Sequence, residues 1–469
     1  MKINTVKNYA YQLIFQIVGI ILPFITVPYT TKILGADNLG ICAYTAAIIN
    51  YFCMAADLGT NVYGIRTVAY NRDNKEKLNR VFSEIVTIRV MLNCLGIILA
   101  LIYILCFTEK YRIIFFLQLI TFLSQMLDLA WFYQGIEEFK NIAIRNIALK
   151  CIYVITIFIF IKNNGDLPKY VFIITFLMFS SSVVYWIGLK KYIKVNFKIK
   201  FKTILYHLKN SIKLFVPQIA IILYTSVDKV MLGSMADKKY VSFYDMALKF
   251  TMIGMIFITT FGTVMMPKIS NMAANNNEEA IKVKTKESLE ILTAIAIPMI
   301  MGLIAVSNGI VDLMLTKEFA EVGFLIKILS LTIVFWTWNN VTGSQLLIPM
   351  KKEKMITVSV IIGAIINIGL NALLINKIYA VGCVTATLIT EVIVTGIQIY
   401  FCRKYFKIGI GSIWKTIAAS IVMFCGIIYI KNIFIQLLVG VIIYIFVMVI
   451  LRDKYMIKIF KVAKGSIIK

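Results

Sequence analysis

The sequence lacks the short motifs that mark most nucleotide-hydrolysing and metal-dependent enzymes. It has no GxxxxGK[ST] phosphate loop, no HExxH helix and no nucleophile elbow. Its eight cysteines lie in or beside apolar runs, without a CxxC pair or a histidine at ligand spacing. We therefore expect no ATP hydrolysis by this chain. We interpret the cysteines as small packing residues, with a metal or disulfide framework as the alternative.

Charged residues are scarce, and acidic ones are the scarcer sign. Only 15% of the 469 residues are charged, 60% are hydrophobic and the mean hydropathy is +0.85. Apolar runs of about 20 residues recur, so the composition excludes a soluble domain and predicts an all-α polytopic membrane protein. The net charge of +26 comes from short basic loops without a nucleic-acid-binding motif. These loops favour membrane orientation and anionic lipid over a nucleic-acid partner.

About fourteen stretches are long and apolar enough to be transmembrane helices. The predicted spans are 8–31, 39–62, 81–106, 113–134, 142–161, 169–189, 215–233, 241–267, 289–313, 323–344, 355–374, 381–401, 413–430 and 433–451. The first is too long for a signal peptide and lacks a small-residue cleavage site, so we expect it to be retained.

The distribution of basic residues predicts the orientation. Eight lysines and no acid lie between Lys190 and Lys213, and such basic segments are retained on the cytoplasmic side. With both termini also inside, most other basic residues fall in inner loops. We predict four regions in a multi-pass protein of the cytoplasmic membrane: an N-terminal lobe (1–189), a basic cytoplasmic linker (190–214), a C-terminal lobe (215–402), and a helix pair with a basic cytoplasmic tail (403–469).

Proline and Leu-Gly pairs recur at matching places in the two lobes. Pro28 leads to Leu34-Gly35 in the first lobe, and Pro217 leads to Leu232-Gly233 in the second. Both follow odd-numbered spans that run in the same direction. The pattern indicates two six-helix lobes related by a pseudo-two-fold axis along the membrane normal, with a substrate cavity between them. The alternative is that such turns are simply common in membrane helices.

Several short motifs occur in a characteristic order along the chain. They are Pro28, Leu34-Gly35, Asp57-Leu58-Gly59, Trp131-Phe132-Tyr133-Gln134-Gly135-Ile136-Glu137, Asp228-Lys229-Val230-Met231-Leu232-Gly233, Pro267-Lys268-Ile269-Ser270, and Gly363-Ala364 with Asn367 and Asn371. Together they resemble the Wzx-type polysaccharide flippases of the multidrug/oligosaccharidyl-lipid/polysaccharide superfamily. Ser242 is a departure, because it stands where that family often has glycine.

The resemblance implies a flippase that moves polyprenyl-diphosphate-linked oligosaccharide repeat units from the inner to the outer leaflet, for capsule, exopolysaccharide or O-antigen synthesis. It implies this lipid-linked substrate and the bilayer as partners, a polymerase and glycosyltransferases as further candidates, and no cofactor. Coupling to H⁺ or Na⁺, or the membrane potential, would drive alternating access. The alternatives are a multidrug/cation antiporter of the same superfamily and a polysaccharide polymerase or ligase, which usually needs a large outer loop that this sequence lacks.

Charged residues deep in the spans are costly in hydrocarbon and are the first candidates for binding the diphosphate. In the first lobe Asp57, Arg89 and Asp128 fall in the inner halves of spans two to four, and the two aspartates are candidates for gating or ion coupling. We predict that Arg89 binds the diphosphate, because a guanidinium offers two parallel donors to phosphate oxygens. The alternatives are a structural pair with Asp57 or Asp128, or snorkelling to the interface.

A mixed-charge group lies in the outer parts of spans seven to ten of the second lobe. Its members are Asp228, Lys229, Asp245, Lys249, Asp312 and Lys327. We predict a gate or release site whose lysines bind the substrate phosphates, with interfacial anchoring as the alternative. Asp245 and Lys249 are four residues apart, so they share a helix face and are expected to pair.

Glu391 lies near the middle of span twelve, where a lone ionised carboxylate is costly. We predict that it couples transport to an ion, with Asn367 and Asn371 as neighbours. The alternative is a protonated glutamate that is hydrogen-bonded between helices.

Aromatic residues near the span ends are candidates for stacking on sugar rings, although interfacial belts are the alternative. They are Trp131, Tyr133, Trp336 and Trp338. The single histidine, His207, lies in the basic linker, and we expect it to be a solvated interfacial residue.

Overall fold

The computed structural model describes residues 2–193, 201–405 and 410–453, and within them all regular structure is helical. The described residues form two compact units. The first holds the chain up to Ile222 together with Asp237–Ser242, and the second holds Leu223–Ala236 and the chain from Phe243. The predicted bounds of the four regions stay a prediction, and the predicted tail beyond residue 453 lies outside the described residues.

Nine α-helices form the first half of the chain. They are α1 (Lys2–Asp57), α2 (Thr60–Asn71), α3 (Lys75–Phe107), α4 (Arg112–Gln118), α5 (Ile120–Leu127), α6 (Ala130–Gly135), α7 (Phe139–Phe160), α8 (Leu167–Ile187) and α9 (Phe201–Met235). Short 3₁₀ turns at Asn164–Asp166 and Leu189–Lys191 precede and follow α8.

Eight further α-helices complete the described chain. They are α10 (Lys238–Met252), α11 (Met255–Ala274), α12 (Glu278–Met314), α13 (Glu321–Ser330), α14 (Thr332–Asn339), α15 (Glu353–Cys402), α16 (Ile410–Ile427) and α17 (Ile433–Ile450). A 3₁₀ turn at Lys317–Phe319 precedes α13, and a π-helix at Asn340–Leu347 continues α14.

Two long helices each contain two predicted spans joined at a sharp break. In α1 the break is at Gly35, whose φ of 74° lies in the region that glycine adopts without strain. In α15 the break is at Ile378 and Tyr379, and Tyr379 has a φ of 47°. Both breaks fall in the gaps that the hydropathy pattern places between spans. The Leu34-Gly35 pair is therefore a true turn between helices.

Other predicted spans consist of several short helices. The predicted span 113–134 comprises α4, α5 and α6, and the predicted span 323–344 comprises α13, α14 and the π-helix. Asp128 interrupts the first of these, because its backbone is extended and its carboxylate accepts a hydrogen bond from the Ala130 N–H at 2.9 Å. Such interruptions are tolerated at membrane depth only where protein or water surrounds them.

Eight helical stretches of the described chain are long and apolar enough to cross a membrane, and the bent pair α10 and α11 would add a ninth. Two of the eight contain the breaks described above, in α1 and α15. The prediction of an all-α polytopic membrane protein is confirmed, whereas the number of fourteen spans stays a prediction.

The basic linker is partly helical. Residues 194–200 of the predicted linker lie outside the described residues, but α9 already begins at Phe201 and continues without interruption to Met235. The first turns of α9 pack closely against the start of α2. The Ser211 hydroxyl donates a hydrogen bond to the Leu58 carbonyl. The linker residues from Phe201 onward are therefore an extension of the seventh predicted span.

Gly59, which precedes α2, makes this packing possible. Its φ is 76°, and a Cβ at this position would lie 2.8 Å from the Ser211 carbonyl oxygen and 3.0 Å from the Phe215 nitrogen. We expect Gly59→Ala to lower the midpoint of thermal unfolding in detergent, because the left-handed backbone alone costs about 1–2 kcal/mol in a residue with a Cβ. Gly165→Ala is the matched control, since nothing lies within 4 Å of a Cβ there. Equal midpoints for the two variants would contradict this packing.

Candidate functional site

Arg89 on α3 is held by the turn between α1 and α2. Its Nη1 donates to Asp57 Oδ1 and to Thr60 Oγ1, both at 3.0 Å, and its Nη2 donates to the Gln125 carbonyl at 2.9 Å. Thr60 Oγ1 in turn donates to Asp57 Oδ1 at 2.9 Å. Gly59 allows the chain to turn between Asp57 and Thr60, so the side chains of these two residues converge on the guanidinium.

Only 2% of the Arg89 side chain is exposed, while its partner Asp57 is 20% exposed. The Nε atom has no hydrogen-bond partner among the described residues. The structure thus brings together one of the pairs that the sequence left open, Arg89 with Asp57. A diphosphate would have to displace the Asp57 carboxylate to gain both outer nitrogens of Arg89.

The other first-unit candidates are placed differently. The Asp128 carboxylate accepts a hydrogen bond at the start of α6, as described above. The Trp131 ring is fully buried, stacks on Phe82 with ring centroids 5.7 Å apart and lies against Gly64. Tyr133 is also buried, and its hydroxyl donates to the Tyr185 carbonyl at 2.8 Å. A sugar could stack on Trp131 only if this aromatic cluster opened.

Asp228 on α9 is the centre of a buried polar cluster in the second unit. Its carboxylate accepts hydrogen bonds from the Tyr244 hydroxyl at 2.6 Å, the Asn371 amide at 2.6 Å and the Thr387 hydroxyl at 3.0 Å. The Asn371 amide also donates to Asn367 Oδ1 at 3.0 Å. Three helices, α9, α10 and α15, therefore supply polar groups to one carboxylate.

This Asp228 cluster is suited to bind a small cation or a proton. Among the described residues no lysine or arginine forms an ion pair with Asp228, and 2% of the residue is exposed. Asn371 Oδ1 has no hydrogen-bond partner in the described chain. Carboxylate, amide and hydroxyl oxygens are the ligands that hard cations prefer. The Cys383 thiol lies 3.9 Å from the Asp228 carbonyl oxygen, but the described residues hold no group of three or more His, Cys, Asp or Glu that would select a transition metal.

Lys229, Asp245 and Lys249 form a separate charged group beside this cluster. Both lysine ammonium groups contact the Asp245 carboxylate: Lys229 pairs with Oδ1, and Lys249 pairs with Oδ2 at 2.7 Å. The pairing of Asp245 with Lys249 expected from their spacing is confirmed. Asp312 is exposed and Lys327 is half-buried, and neither forms an ion pair with another described residue. The predicted gate residues therefore fall into two groups plus two outlying side chains.

Glu391 on α15 is buried and has partners that the sequence did not suggest. The Trp336 indole donates to one carboxylate oxygen, and the Asn339 amide donates to the other at 3.0 Å. The predicted neighbours Asn367 and Asn371 instead hydrogen-bond at Asp228. Helix periodicity identified the face that the two asparagines share but not their contact with Asp228, and their predicted role beside Glu391 stays a prediction.

The prediction of a solvated His207 is wrong, because only 5% of the residue is exposed. Its Nδ1 lies 2.6 Å from the Tyr63 hydroxyl and its Nε2 lies 2.8 Å from Glu84 Oε2. The error came from reading the basic linker as irregular, whereas α9 already includes His207.

Ion pairs at the predicted inner ends of the helices are exposed. Arg72 pairs with Glu137 at 2.7 Å, and Lys404 pairs with Glu278 at 2.6 Å. The hydrogen bonds that Arg72 and Lys404 donate to these carboxylates raise the pKa of Arg72 and the pKa of Lys404. Exposed pairs contribute little to stability, so they differ in kind from the buried group at Arg89.

Sequence reasoning missed Tyr244, Thr387 and Asn339, because it selected charged side chains only. Each is a hydroxyl or amide group within an apolar stretch. A search for any hydrogen-bonding side chain inside a span would have found them, although it would also have found many hydroxyls that bond only to their own helix.

Comparison with known proteins decides the family. The polysaccharide biosynthesis protein profile matches residues 5–273, which is more than half of the chain, and the MatE profile matches residues 214–373. The chain belongs to the polysaccharide biosynthesis protein family. The resemblance seen in the short motifs is thereby confirmed.

Relatives and solved structures agree with this membership. A Shigella dysenteriae protein named "Putative O-antigen transporter" is 24% identical over 378 residues, covering 80% of this chain and 94% of that protein. The structure of lipid II flippase MurJ in an inward closed conformation matches with a TM-score of 0.74 at 16% identity, covering 94% of this chain and 98% of MurJ. An inward-facing multidrug resistance MATE family transporter of the MOP superfamily matches with a TM-score of 0.67 at 12% identity, covering 81% and 94%. At these identities the structural matches show a shared fold.

The hydrogen bonds of Arg89 indicate that its replacement destabilises the folded protein. We expect Arg89→Lys to lower the midpoint of thermal unfolding in detergent, because one ammonium group cannot reach Asp57, Thr60 and the Gln125 carbonyl together. Arg72→Lys is the control, since its single pair is exposed. A variant Arg89→Lys that keeps the wild-type midpoint but loses transport would contradict the structural assignment and support direct diphosphate binding.

The two lysines on Asp245 predict the outcome of a charge swap. Exchanging Asp245 and Lys249 restores their mutual pair but places a lysine beside Lys229. We expect transport to fall in this double variant, because like charges then meet at a site that is partly shielded from water. Further replacement of Lys229 by Glu should restore part of the activity. Full activity in the double variant would show that Lys229 has no role in this group.

Proposed function

We propose that this protein is a secondary transporter that moves polyprenyl-diphosphate-linked oligosaccharides from the inner to the outer leaflet of the cytoplasmic membrane for surface polysaccharide synthesis. The observation that carries the proposal is the match over 94% of the Shigella protein, whose name describes an O-antigen transporter. The MurJ match supports a fold that serves another lipid-linked saccharide.

The buried polar residues suit a substrate whose polar head group must cross the hydrocarbon layer. A diphosphate and several sugars must cross a hydrocarbon layer about 30 Å thick that solvates neither. The first unit supplies a buried arginine and the second unit supplies buried carboxylates, amides and hydroxyls, while the polyprenyl tail can stay in the lipid. Arg89, Lys229, Lys249 and Lys327 remain the proposed cationic contacts of the substrate.

We also propose that an ion binds at Asp228 during transport, and that it is Na⁺. A proton would need one acceptor, whereas this cluster offers several oxygens close together. They belong to Asp228, Asn367, Asn371, Tyr244 and Thr387. A cation would also supply the counter-charge that a buried carboxylate needs. Glu391 stays a second candidate for ion coupling. Release of the ion from Asp228 would be one step of an alternating-access cycle.

Orientation and partners belong to the same proposal. The basic loops support both termini in the cytoplasm. Glycosyltransferases that build the lipid-linked oligosaccharide and a polymerase that consumes it are the partners this function needs. A multidrug antiporter is the second candidate function, because the MatE profile matches residues 214–373.

Reconstituted vesicles test this function directly. With a fluorescent polyprenyl-diphosphate oligosaccharide in one leaflet and a sodium gradient, we expect wild-type protein to move the label across. Asp228→Asn should reduce the initial rate at least about tenfold, a loss expected when a required charge is neutralised. Asp237→Asn, which removes an exposed carboxylate, should transport like wild type.

The competing outcomes are separable in the same vesicles. Movement of cationic drugs without movement of the lipid would favour the antiporter. Lipid movement that responds to a proton gradient and not to sodium would replace Na⁺ by H⁺ at Asp228. Equal rates for Asp228→Asn and Asp237→Asn would refute the ion site.

A further inference from the structure

His207 occupies a buried polar site at the start of α9 that the transport residues do not use. One of its ring nitrogens faces Glu84 on α3 and the other faces Tyr63 on α2, at 2.8 and 2.6 Å. Glu84 is itself buried, and its second oxygen accepts a hydrogen bond from Arg80 at 2.9 Å. Both nitrogens of the chain's only histidine are therefore engaged by groups from two other helices.

This geometry accepts a proton without losing a hydrogen bond. In the neutral ring Nε2–H donates to Glu84, and Nδ1 accepts from the Tyr63 hydroxyl. In the protonated ring both nitrogens donate, and the Tyr63 oxygen becomes the acceptor. The site thus offers hydrogen-bond partners to both the neutral and the protonated ring.

The charged and titratable groups around His207 determine whether the neutral or the protonated ring is the more stable. Glu84 and, behind it, Arg80 face it from α3, and Tyr63 faces it from α2. The Tyr206 ring, on the same helix, lies with its centroid 5.5 Å away. Glu84 is the group of opposite charge in direct contact, so binding a proton converts the hydrogen bond between a neutral ring and the carboxylate into a buried ion pair.

We propose that Glu84, His207 and Tyr63 form a proton-binding site that makes transport respond to cytoplasmic pH. The pH response rests on the proposed transport function, whereas proton binding itself does not. The start of α9 is also fixed by the bond from Ser211 to Leu58, so the histidine strengthens an existing anchor. The anchor is strongest with His207 protonated and weakens when the ring loses its proton. Because α9 continues into the second unit from Leu223, a firmer anchor slows a cycle in which this helix must move.

Proton binding can be measured without transport, because the chain has one histidine. Protein purified with a tag that lacks histidine and labelled with ¹⁵N-histidine should give one pair of ring-nitrogen signals. The signals are followed over about pH 5 to 8, and we expect them to change when the ring takes up a proton. In Glu84→Gln the titration should move to lower pH, since the carboxylate that favours the charged ring has gone. Signals that stay constant over this range, or an unchanged titration in Glu84→Gln, would overturn the site.

Transport assays then test the consequence. The transport rate in vesicles should rise about fivefold as the pH is raised and His207 loses its proton. A change of this size is expected when an ion pair becomes a weaker hydrogen bond. His207→Gln keeps a polar side chain but cannot take up a proton, and it should remove this pH response while still transporting. Lys209→Gln, an exposed change on the same helix, should keep the response.

The two proposals fail in distinguishable ways. If wild-type vesicles move no lipid-linked oligosaccharide at any pH while the histidine titrates as described, the transport function is wrong and the proton site stands. If His207→Gln transports with the full pH response of the wild type, the regulatory role is wrong whatever the histidine signals show.

Discussion

An ionised side chain that folding removes from water needs compensation nearby, and this constraint explains the arrangement of both units. The cost of an uncompensated buried charge is several kcal/mol, which is comparable to the net stability of many domains. In the first unit Asp57 and the Gln125 carbonyl compensate Arg89. In the second unit Asp245 is neutralised by two lysines, whereas Asp228 has hydrogen-bond donors without a paired cation. That difference is the reason why we propose Asp228 as the residue that holds a mobile ion.

Interrupted helices supply the positions at which these polar groups meet. Asp57 ends α1 and Thr60 begins α2, so the turn between them directs both side chains towards Arg89. The π-helix begins directly after Asn339, which donates to Glu391. A straight helix in lipid satisfies its own backbone and offers few such places, whereas a broken one brings polar side chains and free backbone groups together. The breaks at Asp57 and Asn339 therefore place polar side chains beside Arg89 and Glu391.

Much of the fold was predictable, because a membrane imposes a simple pattern. Apolar length identified the helices, Gly35 identified a turn, and the four-residue spacing identified the pair of Asp245 with Lys249. The partners of Asp228, Glu391 and His207 were not predictable, since they lie far away in sequence. His207 and Glu84, for example, are separated by 123 positions. Periodicity shows which face a side chain occupies, but packing between helices decides what it meets.

The first turns of α9 show how a composition argument can fail. A lysine-rich stretch suggested a solvated linker, yet the same residues carry His207 and Ser211, which are buried against α2 and α3. Lysine side chains can reach water from one face of a helix while another face packs. Basic composition therefore gave a wrong local structure, and the side of the membrane that it favours stays a prediction.

We propose that Asp228 holds an ion whose movement is tied to that of the lipid-linked oligosaccharide. The direct measurement is uptake of labelled sodium into vesicles that contain the purified protein, with and without the lipid-linked substrate. We expect sodium entry that requires the substrate and disappears in Asp228→Asn. Sodium entry that is the same with and without substrate, or that persists in Asp228→Asn, would contradict it.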